Sequence, residues 1–454
     1  MGNAGDIGGV SGAASVLTMR FSMPGSNSIA LSSVSTGGSW TPLRKLGFRF
    51  LFTVGGSVLV VFVYGGFVVL NALIMPLKTG LAQVGSVLLR GREVAMDATN
   101  SGDTLGDWYA LAGCFFVAIV ATVAWTALDR RRDNYRSLGR SLFEVARVGL
   151  VVDLIAYGLA KAIPIQMGYM TQPAHQLPLV GDLGLKDTLW TFMGASDMYS
   201  IATGLAEITA GVLLLSKRTW LAGGLLAIVA MAQVFLLNLC YDVPVKILSG
   251  TLVATAIAIT APYWPNVARV LTNSVPLAPR KLWPAPGSKS VRVGATSLGF
   301  VTVAAHSTLI AVVALLAIHN MHSPRSALDG EWTALSFTVD GVPATMTGLE
   351  PGPWANVAVT DRADYTSFVS QTPAGATTVW ALDLQEGSLL IRRRLSDQPT
   401  TIRFQLDGDH TLLLSGTVGN HDIEGRYRRR IMQRADSPFR LVQPGPDADL
   451  PATS

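Results

Sequence analysis

Ionisable side chains recur at helical spacing in a part of the chain that is otherwise apolar. Asp153, Tyr157 and Lys161 are each four residues apart, so on a helix they share one face, within an arc of roughly 120° that also includes Arg147. In a membrane helix such a face is turned towards a protein interior or an aqueous cavity, because charge is costly in lipid. The pattern predicts a helix over about Glu144–Ile163 with a polar, inward-facing stripe.

The next apolar helix, predicted over about Ser196–Leu215, repeats this arrangement. Its polar residues also fall within one arc, of roughly 100°: Ser196, Tyr199, Ser200, Thr203 and Glu207. A carboxylate at the middle of a membrane helix needs a partner or a function. Glu207 therefore forms either a structural ion pair with Lys161 or Arg147, a proton-relaying or substrate-polarising group, or part of a water-filled transport path.

A helix break follows within the same apolar region. The run Asn238–Lys246 contains Tyr-Asp-Val-Pro, and proline biases the preceding residue away from helical geometry. Irregular backbone at membrane depth must be buried in protein or line a cavity. The break therefore favours a site near it, in an outward-leaning polar cavity between the third to sixth predicted membrane helices.

These patterns define the candidate site residues. The catalytic candidates are Glu207, Lys161, Tyr199 and Asp242, and the substrate-binding candidates are Tyr157, Arg147, Trp190, Ser196, Asn238, Tyr241, Lys246 and Asp103. If their side chains all satisfy one another and leave no cavity, an enzymatic interpretation loses most of its support. No metal site is predicted, and the sequence contains no catalytic triad, phosphate loop, CxxC or haem motif.

Composition places the chain in the membrane. Of its 454 residues 49% are hydrophobic and 14% charged, with a mean hydropathy of +0.39, whereas soluble domains carry about 25% charged residues. Several apolar runs reach the roughly 20 residues that a helix needs to cross a bilayer. The predicted fold is an α-helical polytopic membrane bundle in contact with lipid, followed by a C-terminal all-β domain. Nothing resembles a nucleic-acid-binding motif.

About seven spans and one orientation are predicted. Basic residues cluster in the amino-terminal tail and in alternate connections, so the amino terminus is predicted to be cytoplasmic and the β domain extracytoplasmic, at a bacterial inner membrane. The Gly55–Gly56 and Gly65–Gly66 pairs of the first span predict close helix approach. The spans lie at about 47–75, 108–128, 144–163, 196–215, 221–240, 245–263 and 297–318.

Composition and periodicity divide the chain into four parts. Residues 1–46 and 444–454 are predicted to be disordered tails, residues 47–322 the membrane bundle, and residues 323–443 the β domain. In that domain eight or nine short β-rich runs recur about every 10–12 residues between turn signals such as Asp340-Gly341, which predicts a small meander barrel or sandwich. The runs are 331–339, 354–360, 365–370, 378–383, 389–394, 401–406, 411–416, 423–428 and 439–442. A roomy apolar interior would hold a ligand, whereas a packed interior favours partner binding.

Several of these motifs resemble one family. The residues that carry the resemblance are Ser101–Thr104, Tyr157-Gly158, Lys161, Gln166, Trp190–Gly194, Ser196, Tyr199, Glu207, Arg218-Thr219, Asn238, Cys240–Lys246, Gly330-Glu331-Trp332 and Phe439–Leu441. Over about residues 95–445 the chain resembles the DoxX-like family of bacterial integral membrane proteins, in the subgroup with a C-terminal extracytoplasmic β domain. The membrane part of the resemblance covers about residues 95–265. The chain departs from the subgroup at Gln443–Pro446, where an Asn- and Glu-rich motif often stands.

The resemblance implies a helical membrane bundle and leaves three functions open. The family name comes from a subunit of a thiosulfate:quinone oxidoreductase, and other members are linked with thiol and oxidative stress. It therefore implies a redox or quinone-linked membrane subunit, or an enzyme for a small lipophilic substrate such as a quinone; the cofactor is left open, with a quinone as one candidate. The alternatives are a non-catalytic assembly or ligand-binding protein, whose β domain binds a partner or a small ligand, and a small-molecule transporter.

Overall fold

The computed structural model describes residues 39–89, 91, 102–272, 289–344, 353–394, 396–408 and 410–432. It consists of a helical bundle followed by a closed antiparallel β-barrel, which confirms the predicted fold class. The predicted disorder of residues 1–38 and 444–454 and the predicted strand at 439–442 lie outside the described residues.

The bundle is built from α-helices. In the described part of the chain they are α1 Pro42–Val58, α2 Val68–Leu88, α3 Leu105–Leu128, α4 Arg136–Ala162, α5 Leu185–Gly194, α6 Asp197–Leu215, α7 Trp220–Cys240, α8 Lys246–Thr260, α9 Trp264–Leu271 and α10 Lys289–His322.

Six helical segments among the described residues are long and apolar enough to cross a membrane. They are Pro42–Gly66, Leu105–Leu128, Asp197–Leu215, Trp220–Cys240, Lys246–Leu271 and Thr296–His322. The third predicted span, 144–163, is not among these six; it corresponds to α4, which carries Arg147, Asp153 and Lys161 within its apolar stretch. Leu150 and Leu154 of α4 are fully buried in the largest apolar cluster of the bundle. A charged helix at the centre of a bundle is protected from lipid by its neighbours.

The first predicted span is wrong at both ends. Helix α1 begins at Pro42, where the Thr41 side chain accepts a hydrogen bond from the Arg44 amide (3.3 Å), so part of the predicted 1–46 tail is helical. After α1 a π-helical turn and a 3₁₀ turn end at Gly66, within the predicted span. Helix α2 then runs from Val68 to Leu88, beyond the predicted end of the span at residue 75. Glycines cost helix stability, and Gly65–Gly66 mark this break.

The prediction of close packing at the Gly55–Gly56 pair is also wrong. A Cβ atom at either position would meet open space. The close approaches occur on other helices, including Gly85 of α2 and Gly113 of α3, which pack against backbone atoms of the facing helix. A small residue permits close approach, but its partner decides whether the approach occurs.

The C-terminal domain is a closed barrel of eight antiparallel strands, with the short strand β2 added beside β1. Pairing of the first long strand with the last closes the barrel. Asp340 and Gly341, Gly387 and Gly408 all have positive φ, as the turn dipeptides of the sequence predict. The strands are β1 Gly330–Val339, β2 Val342–Pro343, β3 Asn356–Asp361, β4 Thr366–Gln371, β5 Thr377–Gln385, β6 Ser388–Arg392, β7 Thr400–Asp407, β8 Thr411–Val418 and β9 His421–Arg430.

Large side chains fill the interior of the barrel. Trp332, Phe368 and Tyr427 have no exposed surface, and they pack with leucine, isoleucine and valine residues from the other strands in one apolar cluster. Barrels of eight strands have an interior that side chains are able to fill. The described strands therefore enclose a core of packed side chains.

The barrel rests on the connection between α4 and α5. The Ala174 amide donates a hydrogen bond to Thr360 Oγ1 (3.0 Å), and Gln371 Nε2 donates one to the Leu177 carbonyl (2.5 Å). Ala174 and Leu177 also pack against the outer faces of β3 and β4. These contacts fix the barrel at the end of the bundle where α4 ends and α5 begins.

Candidate functional site

Two glycines allow α4 and α6 to cross at very short distance. A Cβ atom at Gly204 would lie 2.4 Å from the Gly158 carbonyl oxygen, and one at Gly158 would lie 2.8 Å from the Gly204 carbonyl oxygen. Only glycine permits backbones to approach this closely. The crossing lies on the polar faces of both helices and brings the two stripes into contact.

At this crossing Lys161 and Glu207 form an ion pair. The Lys161 Nζ–Glu207 Oε1 distance is 2.5 Å, and the two residues are only 6% and 2% exposed. Side chains on a helix lean towards its amino terminus; because α4 and α6 are antiparallel, these two lean towards each other. Ser200 Oγ adds a hydrogen bond to the Lys161 carbonyl (3.2 Å).

One oxygen of the pair is left without a partner. Glu207 Oε2 is buried and has no hydrogen-bond partner among the described residues. A buried polar atom without a partner is uncommon and calls for an explanation, such as a ligand that supplies a hydrogen bond.

The ion pair faces a cavity of about 300 Å³ between α4, α5, α6, α7 and α8. Most of its walls are apolar, with Leu226, Val234 and Leu252 among them. Asn238 contributes a further polar group, and its Nδ2 donates to Ser249 Oγ (3.0 Å). The structure brings six of the predicted site residues to this cavity: Tyr157, Lys161, Trp190, Tyr199, Glu207 and Asn238.

Three predicted residues do not reach the cavity and have local roles. Arg147 lies on the same face of α4 as Lys161 but about 21 Å away along the helix; it binds Glu144 (2.6 Å) and the Leu214 carbonyl (2.9 Å). The Ser196 side chain caps α6, accepting from the Tyr199 amide. Tyr241 packs against a buried apolar cluster beside the cavity.

The other three, Asp103, Asp242 and Lys246, meet at the start of α8. Both carboxylate oxygens of Asp103 accept backbone hydrogen bonds, from the amides of Lys246 and Ile247 (2.9 Å to Ile247). Asp242 is exposed and pairs with Lys246 at 2.8 Å. The hydrogen bond and charge of the Lys246 ammonium lower the pKa of Asp242 below its ordinary value. These contacts are those of a helix cap.

The Gly102–Thr104 segment ties α3 to α8. A Cβ atom at Gly102 would lie 2.8 Å from the Pro244 carbonyl oxygen, so only glycine fits against the helix break. Thr104 and Asp107 form a capping box at the start of α3. Residues 102–104 of the Ser101–Thr104 motif therefore have a structural role, in which Asp103 links the start of α3 to the start of α8.

A second ion pair was missed by the sequence reasoning. Lys78 Nζ lies 2.5 Å from Asp107 Oδ1, in a separate cavity of about 410 Å³ lined by the break after α1. The Thr-x-x-Asp spacing at 104–107 signals the capping role of Asp107, but nothing in the sequence signals its pairing with a lysine of α2. Tyr157, Val245 and Leu248 line both cavities.

Asp153 is the remaining acidic residue of the α4 stripe. It is 6% exposed, and its Oδ2 has no hydrogen-bond partner among the described residues. It lies one helical turn from Tyr157, which lines both cavities. Sequence reasoning placed Asp153 on the stripe but did not include it among the candidate residues.

Together, the apolar helices, the buried ion pair and its cavity define an integral membrane protein with a polar site inside its helical bundle and a barrel at one end. The chain is 32% identical to the uncharacterized protein YwoB of Bacillus subtilis (strain 168) over 117 residues, which are 26% of this chain and 73% of YwoB. It belongs to the same protein family as YwoB. No family model and no solved structure match the chain.

Proposed function

We propose that the chain is a DoxX-like protein of the bacterial inner membrane that binds a small lipophilic molecule with one polar head group, such as a quinone, as a quinone-linked membrane subunit or enzyme. One observation carries the proposal: the Lys161–Glu207 pair is buried at the wall of an apolar cavity, with Glu207 Oε2 left without a partner. A few polar groups in an apolar pocket are the usual design of a small-molecule site.

The polar groups suit a molecule that carries carbonyl or hydroxyl oxygens. The Lys161 ammonium has three donors, so it is able to bind a carbonyl oxygen while it stays paired with Glu207. Glu207 Oε2 is able to accept a hydrogen bond from a hydroxyl group. In the enzymatic interpretation, Lys161 polarises the carbonyl, and Tyr157 and Tyr199 are the nearby hydroxyl groups.

The distribution of basic residues supports the proposed orientation. Arg130–Arg132 and Lys217-Arg218 lie in the connections after α3 and α6, at the end of the bundle away from the barrel. Lysine and arginine are enriched in cytoplasmic loops. The amino terminus is then cytoplasmic, and the barrel is extracytoplasmic.

Specific observations favour the two alternative functions. The packed barrel interior supports an assembly protein whose barrel binds a protein partner, with the ion pair holding α4 against α6. The adjacency of the two cavities, which share Tyr157, Val245 and Leu248, supports a transport path.

The test is binding of a decyl-substituted benzoquinone and of its hydroquinone to the purified full-length protein in lipid nanodiscs. The hydroquinone has hydroxyl groups that are able to donate to Glu207 Oε2, so we expect Glu207→Gln, which replaces the carboxylate by a neutral amide, to weaken hydroquinone binding at least tenfold. A lone Lys161→Met leaves a buried unpaired charge, which costs about 3–5 kcal/mol, so Lys161→Met combined with Glu207→Leu is the better variant. We expect this double variant to fold and to lose binding.

Glu144→Gln is the matched control, since it breaks an ion pair of the same helix outside the cavity. Binding that is equal in the wild type, the control and the double variant would refute the proposed site. Lowered thermal stability of Glu207→Gln with unchanged binding would favour the assembly interpretation instead.

A further inference from the structure

The cavity is closed towards the barrel end of the bundle. Helix α5 lies across that end, and its residues Leu189 and Met193 pack with Met167 and Val243 in a buried apolar cluster. Trp190 lies at the edge of the same cluster and lines the cavity. A polar solute from the aqueous side would have to displace this plug, whose burial the hydrophobic effect stabilises.

The cavity is open at its side because α6 and α7 diverge. Near their connecting turn the two helices touch, and a Cβ atom at Gly223 would lie 2.8 Å from the Ala210 carbonyl oxygen. Further along, Ala206 of α6 and Val229 of α7 both line the cavity instead. The gap between the helices is therefore V-shaped and widest towards the barrel end.

The residues around this gap are exposed although they line a cavity. Val229 is 68% and Tyr199 43% exposed, and Ala206 and Gln233 are exposed as well. Ala206 lies about 14 Å from the start of α6, and Val229 about 17 Å from the end of α7. In a hydrocarbon layer of about 30 Å, these positions face lipid rather than water.

From this geometry we infer that the cavity is entered sideways from the lipid, through a portal between α6 and α7 formed by Tyr199, Ala206, Val229 and Gln233, and that its occupant is a long-chain amphiphile. The head group reaches the Lys161–Glu207 pair, and the hydrocarbon chain leaves through the portal into the bilayer. The inference rests on the proposed function for the head-group site and adds the entry route and the class of ligand.

Cavity size agrees with such an occupant. About 300 Å³ is at the lower end of the range for ligand pockets, so it holds a head group and the first part of a chain. A chain that continued beyond the cavity would lie against the exposed apolar faces of α6 and α7, including Leu205 and Leu236. The portal thus selects for molecules that already reside in the membrane.

Photolabelling from the lipid phase tests the portal without a known ligand. The full-length protein is reconstituted into phosphatidylcholine vesicles in which a fraction of the lipid carries a diazirine on its acyl chain, and adducts are mapped by mass spectrometry. We expect adducts on the cavity-wall residues Thr203 and Val234. Ala206→Trp or Val229→Trp should block the portal and reduce these adducts at least fivefold.

Val212→Trp and Leu239→Trp are the matched controls, because both positions are exposed on the same two helices and line no part of the cavity. They should leave the cavity adducts unchanged. Labelling of Val212 without labelling of Thr203 and Val234 in the wild type would overturn the portal, as would cavity adducts that the portal variants do not reduce. Cavity labelling together with absent quinone binding would reject the quinone while the portal stands.

Discussion

Two aspartates near Lys246, Asp103 and Asp242, differ in the groups that they bind. Asp103 is tied to two backbone amides at the start of α8, whereas the side chain of Asp242 is 80% exposed and binds the Lys246 side chain, one turn away. Both have positive φ, which is uncommon outside glycine. Sequence reasoning assigned both to the site, because spacing alone does not reveal which backbone groups a carboxylate meets.

We expect Asp103→Ala to destabilise the protein by about 0.5–2 kcal/mol more than Asp242→Ala does, which is the range for loss of a helix cap. Asp242→Ala is the matched control, because it also places alanine at a positive φ but removes only an exposed ion pair. Thermal unfolding of both variants in detergent measures the difference. Equal losses of stability would mean that the Lys246 side chain, and not the capped backbone, is the important partner.

At the scale of the helices, the site depends on one crossing. Gly158 and Gly204 let α4 and α6 approach until Lys161 reaches Glu207. A third glycine, Gly211, lies seven residues after Gly204 on α6. It continues the contact with α4, against Ile155. A helical wheel places Lys161 and Glu207 on the polar faces of their helices, but the depth at which the two faces meet follows from these glycines.

Gly204→Ala should therefore destabilise the bundle, because its Cβ atom would overlap the backbone of α4; overpacking of this kind costs about 1–3 kcal/mol. Gly56→Ala is the matched control in open space. There alanine should stabilise by about 0.5–1 kcal/mol through helix propensity. The two melting temperatures should thus shift in opposite directions, and a shared direction would contradict the crossing.

At the scale of the molecule, the contact between bundle and barrel contains a titratable group. His175 lies in the α4–α5 connection, with its ring 6.1 Å from Tyr365 of the barrel and 5.1 Å from Tyr169. Burial lowers the pKa of His175 below its ordinary value, partly opposed by the charge of Asp187. The docked state thus binds the proton less readily than the undocked state, so docking weakens as pH falls through the ordinary histidine pKa of about 6.5.

Pulsed EPR between spin labels at Val180 and Arg403 measures this docking, in a background with Cys114 and Cys240 replaced by alanine. We expect one narrow distance distribution at pH 7.5 and a broader one at pH 5.5. His175→Phe keeps an aromatic ring but cannot titrate, so its distribution should stay narrow at both pH values. Broadening in His175→Phe as well would assign the pH dependence to another group.

The sequence by itself determined the architecture and part of the site. Hydropathy and strand periodicity predicted the apolar helices other than α2 and the eight long strands, because burial imposes a period on each element. Polar residues on apolar helices pointed to Lys161 and Glu207, because lipid tolerates such residues only when they are buried together. Both rules concern residues within one element, so they apply to the sequence without knowledge of the tertiary contacts.

The tertiary structure decided the features that depend on contacts between elements. Arg147 shares a helix face with Lys161, yet it lies about 21 Å away along α4 and binds Glu144 there, because a helical wheel records angle and not depth. Gly55–Gly56 faces open space while Gly204 meets backbone, since a glycine acquires its role from the atom opposite. The cavity, its plug at α5 and the gap between α6 and α7 likewise arise only where several helices pack together.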